Sequence, residues 1–267
     1  MTPFATRVLI GAACGVASGV AAQAWCRWRQ SRLEKADLAV IDAGEADDEW
    51  VGLLEAQAST SASVSPEVIS RLVEEGLATP ELAAVASDPE YSRRHAMRLR
   101  CGMPWALAWT PGLMAAGAVV AGVTGNALAA AAASCLGAVA VGDWTLRTIS
   151  PTLCAAMTAL SVAAWPSRYA AASAVVVALA GLALGTGFRH VACGRPDGVF
   201  GGGDVVLVAA IAAALSAHPS GVVPFLLAAI AELACMLAWM RSRGTQDVPV
   251  PLAPVCWAPF LLAVCAA

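Results

Sequence analysis

The chain has 267 residues, 59% of them hydrophobic and 13% charged, with a formal net charge of −3, and its mean hydropathy is +0.70. A soluble domain of this length carries roughly twice that share of charge, so the composition excludes an ordinary soluble enzyme and points to a polytopic membrane protein. Fourteen of the nineteen acids lie between Glu34 and Glu90, so the net charge describes one soluble segment and says little about partners.

Eight apolar stretches approach or reach the ~20 residues that cross a bilayer. They run roughly over 8–26, 104–124, 126–147, 151–165, 168–188, 204–218, 220–240 and 250–267. The expected fold is therefore all-α: a membrane bundle of about eight transmembrane helices with a small helical insert. Alanine and glycine dominate the spans, and small residues let membrane helices pack closely. Residues 1–27 form a first anchor, 28–103 the insert and 104–267 a seven-helix core.

Arginine and lysine in the short loops set the orientation. "CRWRQSRLEK", "YSRRHAMRLR", Arg147, Arg189 with Arg195, and Arg241 with Arg243 all fall on one face, whereas the other face shows Arg7 and Arg168. The basic face is the cytoplasmic one, which puts both chain ends outside. "AAQAW" offers a signal-peptidase-like A-x-A site, but the basic cluster follows the apolar run, an order that favours a retained anchor.

The insert begins acidic and runs into "AQASTSASV", whose composition predicts a flexible link. "SPEVISRLVEEG" then predicts a short helix with Ser65 as its N-cap, Pro66 in its first turn and Gly76 at its end. "TPELAAVASDPEY" repeats the opening for a second helix. The pair reads as a helical hairpin, either a simple connector or a place where a partner docks.

Two carboxylates stand out. Asp143 and Asp204, 61 residues apart, both fall at cytoplasmic ends of spans. The adjoining spans are short: 14 residues from Asp204 to His218 rise about 21 Å against a hydrocarbon layer of about 30 Å. Irregular backbone at such depth is tolerated beside protein or a wet cavity. Gly201, Gly202 and Gly203 before Asp204 make room there for an extended chain. Two carboxylates held close do not both ionise easily, and the pair titrates as a unit. The ionised member can activate water while the protonated one polarises an amide carbonyl, as in aspartic proteases. The structural alternative is that each aspartate caps a helix or pairs with Arg147 or Arg189. Glu232, near mid-span, is a third acid that is expensive at that depth. His95, His190 and His218 are too dispersed for a metal site, and the nine cysteines form no C-x-x-C pair. Neither metal nor cofactor nor nucleic acid is expected as a partner.

"FGGGDVVL" at 200–207 resembles the GxGD signature of the type IV prepilin peptidases, a family of membrane aspartyl proteases, with Gly201, Gly203 and Asp204 in the fixed positions. "GDWTLRTISPTL" at 142–153 is similar to the family's first aspartate segment, except that the proline falls one place late, at Pro151, with Ser150 in its usual slot. "VPLAPVCWAPFLLAV" at 250–264 looks like the proline-rich last span. The resemblance implies that Asp143 and Asp204 are the catalytic pair. It also implies cleavage of a short basic leader from prepilin or pseudopilin substrates at the cytoplasmic membrane face. Two departures stand against the pattern. Val206 occupies the place of a usual lysine, and the insert lacks the paired C-x-x-C motifs that accompany N-methyltransferase activity, so that activity is not carried over. Two other functions remain open: a non-catalytic assembly or scaffold protein derived from such a peptidase, and a proton relay through Asp143, Asp204 and Glu232, for which no inverted repeat is seen.

Overall fold

A computed structural model describes residues 3–61, 64–99, 103–146, 148–167, 169–192, 202–243 and 252–266. It bears out the all-α expectation, with no strand among the described residues. Arg147, Arg168, Arg195, Asp197, Gly201 and Asp247 lie outside the described residues, as do the side chains of Arg189 and His190.

The chain divides into two compact units, residues 1–22 with 107–267, and residues 23–106. The first helix, α1, covers Pro3–Asp42, well past the span expected over 8–26. The segment "CRWRQSRLEKADLAVID" is built from good helix formers and holds neither proline nor glycine. The helix ends where Gly44 takes φ +68°, with the Gly44 N–H on Ile41 O, a left-handed stop that glycine adopts cheaply.

In the second unit α2 covers Asp48–Ser61, so the first part of the expected flexible link, residues 56–61, is helical instead. Ser and Thr carry only a modest helix penalty, and Leu54 and Ala58 of α2 are buried in a local core with Ile41, Val68, Ile69 and Leu72. Burial outweighs composition there. The two short helices expected next are present as α3 (Pro66–Glu74) and α4 (Pro80–Ala86), each with proline in its first turn. Ser65 accepts from the Glu67 N–H and donates to Glu34 Oε1 at 2.8 Å. Thr79 accepts from Leu82 N–H and donates to Glu55 Oε1 at 2.7 Å. Each cap therefore also ties its helix to another. Gly76, φ +72°, closes α3. The helix α5 follows over Pro89–Leu99, and the Tyr91 hydroxyl donates to Val64 O within the core. Asp37, beyond the apolar part of α1, has its carboxyl pushed up to about 6, first by burial and then by the neighbouring charge of Glu34.

The first unit holds the apolar helices α6 (Met103–Thr124), α7 (Ala127–Leu146), α8 (Pro151–Ala164), α9 (Ala170–Ala192), α10 (Gly202–Ser216), α11 (Val222–Arg243) and α12 (Leu252–Cys265). Each expected span coincides with a helix. Among the described residues four helices are long and apolar enough to cross a membrane, α1, α7, α9 and α11 with its leading turn, and α8 is shorter. This is a membrane protein.

Helix α7 is the centre of the unit. Ala129, Ala130, Ala132, Ala133 and Leu136 are fully buried, and α7 packs on α8 and on α12. Its smallness permits this: at Gly137 a Cβ would collide with Leu113 and Trp257. Trp257 donates its indole N–H to Ala133 O at 3.2 Å. By contrast α9 and α11 present Val176, Leu179, Leu184, Leu227 and Ile230 outward at 62–75% exposure, as a lipid-facing helix does in a bundle with no water to hide from.

Candidate active site

The loop between α7 and α8 shows why the proline of the first aspartate segment falls one place late. Ser150 is the N-cap of α8 and accepts from the Leu153 N–H, while Pro151 occupies the first helical position. Serine at the cap and proline behind it is a favoured helix start. The displaced proline therefore leaves an intact helix start, with Ser150 99% buried.

Asp143, near the C-terminal end of α7, is 5% exposed. Its Oδ2 accepts from the Ala253 N–H at 2.9 Å. Ala253 is the second residue of α12, so the donor is one of the amides that a helix start leaves without an internal partner. The carboxylate also meets the positive end of the α12 dipole. Of the two roles the sequence left open for Asp143, a helix-capping one is thus present, to a helix 110 residues away.

Asp204 stands in the first turn of α10 and is half-buried. Acidic residues are stabilised at that position by the same dipole argument. Gly202 and Gly203 form the start of α10; Gly201, expected beside them, lies outside the described residues. Gly203 carries a specific packing demand. A Cβ there would sit 3.2 Å from Ile149 Cβ, closer than the 3.5–4.0 Å that carbon atoms prefer. The two aspartate-bearing segments therefore touch: Ile149, six residues after Asp143, lies against Gly203, next to Asp204.

Deeper along α8 and α10 the Thr158 hydroxyl lies 3.1 Å from both Cys154 O and Ala210 O. The pairings Ile149–Gly203 and Thr158–Ala210 make α8 and α10 parallel neighbours. Their N-termini lie together, and α10 also packs on α12, whose N-terminus holds Asp143.

A third acid belongs to this neighbourhood. The thiol of Cys256, one turn after Ala253 on α12, lies within the electrostatic fields of Glu232, Asp143 and Asp204. Glu232 is half-buried on α11, which packs on α12. The sequence singled out all three acids. It did not reveal the Ala253 amide as the partner of Asp143; backbone donors leave no mark in a sequence. No group of three or more His, Cys, Asp or Glu that could hold a metal ion occurs among the described residues. His218, buried against Trp165 with ring centroids 4.3 Å apart, is at the opposite end of α10. His95 is in the other unit.

This arrangement supplies two acids on adjoining segments, three helix N-termini beside them, and a small-residue helix start next to one carboxylate. The helix starts favour negative charge near them. Among known proteins, the sequence model of the type IV leader peptidase family matches residues 130–239. That range takes in Asp143, Asp204 and Glu232 and ends before α12. No curated protein matches the chain, and no solved structure does.

Proposed function

Because residues 130–239 match the sequence model of the type IV leader peptidase family, a family of proteases, we propose that the chain is an aspartyl endopeptidase with Asp143 and Asp204 as its acid pair. The contact of Ile149 with Gly203 carries the reading, since it brings two remote segments together at the carboxylates. In this reading one carboxylate is ionised and draws a proton from water. The other holds a proton and donates it toward the carbonyl oxygen of the bond to be cut. The two share one titration because their charges repel. Gly202 and Gly203, with Gly201 before them, leave space for an extended backbone beside Asp204, and an extended backbone is what exposes an amide to attack.

The substrate proposed is the short basic leader of a prepilin-like protein. The N-terminal methyltransferase activity is not proposed, since the insert lacks the paired C-x-x-C motifs. The basic loops favour, by the positive-inside rule, a reading in which the aspartate end of the bundle faces the cytoplasmic side of the inner membrane. Residues 28–103 would then face assembly proteins of a pilus or secretion system. Co-expression with a prepilin-type substrate tests the reading through the gel shift that loss of the leader produces. Processing is expected for the wild type and lost in Asp204→Asn. Normal processing by that variant refutes the assignment, and a wild type that binds substrate yet never cleaves it favours the scaffold alternative.

A further inference from the structure

Where α1 leaves its apolar run it turns basic without ending. At 26–37 the chain reads "CRWRQSRLEKAD", all of it helical, and the two signs of charge are sorted by face. Arg27, Trp28, Arg32 and Lys35 are exposed. Trp28, Arg32 and Lys35 stand at i, i+4 and i+7, one stripe of the helix. Cys26 and Gln30 are buried on the opposite side. Glu34 and Asp37 are half-buried, and Glu34 accepts the Ser65 hydroxyl at 2.8 Å. Among the described residues no carboxylate lies within ion-pair range of Arg27, Arg32 or Lys35. We propose that this stripe, with Arg27 at its edge, binds the headgroup phosphate of an anionic phospholipid.

Depth favours a lipid. Twenty residues separate Arg7 from Arg27 along α1, a rise of about 30 Å, which is the thickness of a hydrocarbon layer. Arg27 then stands at the edge of that layer, and the stripe follows at headgroup level. Helical side chains lean toward the N-terminus of their helix, and on α1 that is the direction of the apolar run. Arg32 leans this way: its guanidinium carbon lies 5.6 Å from the centroid of the Trp28 ring, one turn back. A guanidinium over an indole keeps its N–H edge free, and that edge matches two phosphate oxygens at once. Trp28, 54% exposed, has the amphipathic ring that membrane interfaces favour.

Charge further along the chain selects against a longer polyanion. Residues 36–90 hold thirteen acids and one cation, Arg71. A nucleic acid long enough to cover the stripe would run into that field, whereas a single headgroup reaches the cations from the bilayer side and stops there. The acyl chains of such a lipid lie along the exposed Val16 and Val20, earlier on the same helix. This site does not depend on the peptidase chemistry.

The test places a photo-crosslinking residue at Ser31, which is exposed between Arg27 and Lys35. The full chain is reconstituted in nanodiscs of phosphatidylcholine with a minor share of phosphatidylglycerol, and the labelled lipid is identified by mass spectrometry. Phosphatidylglycerol is expected among the labelled lipids well above its share of the bilayer. Its enrichment falls on the order of fivefold in Arg32→Gln and again in Arg32→Gln/Lys35→Gln, the effect of one surface cation each, and it falls in high salt. Thermal unfolding is unchanged, since the altered side chains are exposed. Labelling in proportion to bilayer composition overturns the proposal, as does full enrichment in the double variant. Loss of the lipid label to excess inorganic phosphate overturns it in favour of a soluble-anion site. If the glutamine variants unfold, the label at Ser31 in the otherwise native chain still decides.

Discussion

Asp143 has a structural contact and a proposed chemical task, and two substitutions separate them. In Asp143→Asn the side chain keeps its shape, and its amide oxygen can still accept from Ala253 N–H, the 2.9 Å bond at the start of α12. The start of α12 is expected to stay intact. Proton transfer does not survive the exchange, because an amide neither ionises nor carries a transferable acid proton, and loss of a general acid–base group costs about 10²–10⁴-fold in rate. In Asp143→Ala the same chemistry is lost, but the Ala253 amide also loses its acceptor in a place where Asp143 is 5% exposed. A buried donor without a partner costs about 1–3 kcal/mol, which is roughly a ten- to hundredfold rise in local opening.

Cleavage of a prepilin-type peptide and hydrogen exchange of the peptide covering residues 252–256 read the two roles independently. The expected pattern is that both variants are inactive, that Asp143→Asn exchanges like the wild type, and that Asp143→Ala exchanges at least ten times faster at the start of α12. An Asp143→Asn protein within tenfold of wild-type cleavage refutes the chemical role and leaves the carboxylate a cap for α12. Unchanged exchange in Asp143→Ala refutes the capping role.

Three further outcomes are expected. Gly203→Ala forces Ile149 or the α10 start to move by a few tenths of an ångström; overpacking of this kind typically costs about 1–3 kcal/mol, so thermal unfolding is lowered and cleavage falls at least tenfold, and Ile149→Ala in the same chain restores part of both. Gly185→Ala brings a Cβ to 2.6 Å from Val205 Cγ1 across the α9–α10 contact; thermal unfolding in detergent is lowered, and Val205→Ala recovers it. Asp37 has a folded-state value near 6 against 3.8 for the free group, so the folded insert binds the proton more tightly than the unfolded one and its stability declines as pH rises between those values, then levels; hydrogen exchange of the buried 68–72 amides, corrected for intrinsic rates, follows that slope, and Asp37→Asn abolishes it.

The sequence made the helices legible where periodicity and caps agree. Ser65, Thr79, Gly76 and the eight apolar runs are local signals, and each appears where its chemistry places it. The late proline was legible as an anomaly, and its cause, a Ser150–Pro151 helix start, is local too. The contacts that assemble the site were not legible in the same way. Asp143 meets a backbone amide 110 residues away, and that pairing has no pattern in the chain. At "AQASTS" the failure runs the other way. A polar, small-residue stretch reads as a link on composition, but Leu54 just before it and Ala58 within it are held in a core supplied by distant residues, and the helix carries through to Ser61. Tertiary burial decided that element, and a local reading does not see it.

Helix length links the fold of the bundle to the chemistry proposed for it. The helix α8 has 14 residues, so it rises about 21 Å and falls about 9 Å short of a typical hydrocarbon layer. Its N-terminal end, where Ile149 meets Gly203, can therefore lie below the surface. A carboxylate placed at such depth costs a few kcal/mol on insertion scales. The positive end of a helix offsets roughly 0.3–1 kcal/mol of that, and about 2 in a buried geometry. Asp204 sits on one such end and Asp143 on another, through Ala253 N–H. A short α8 thus leaves room for an extended chain at the membrane edge, while the starts of α10 and α12 supply the partial charges that make acids tolerable there. A longer α8 would keep the sequence motif and lose that room.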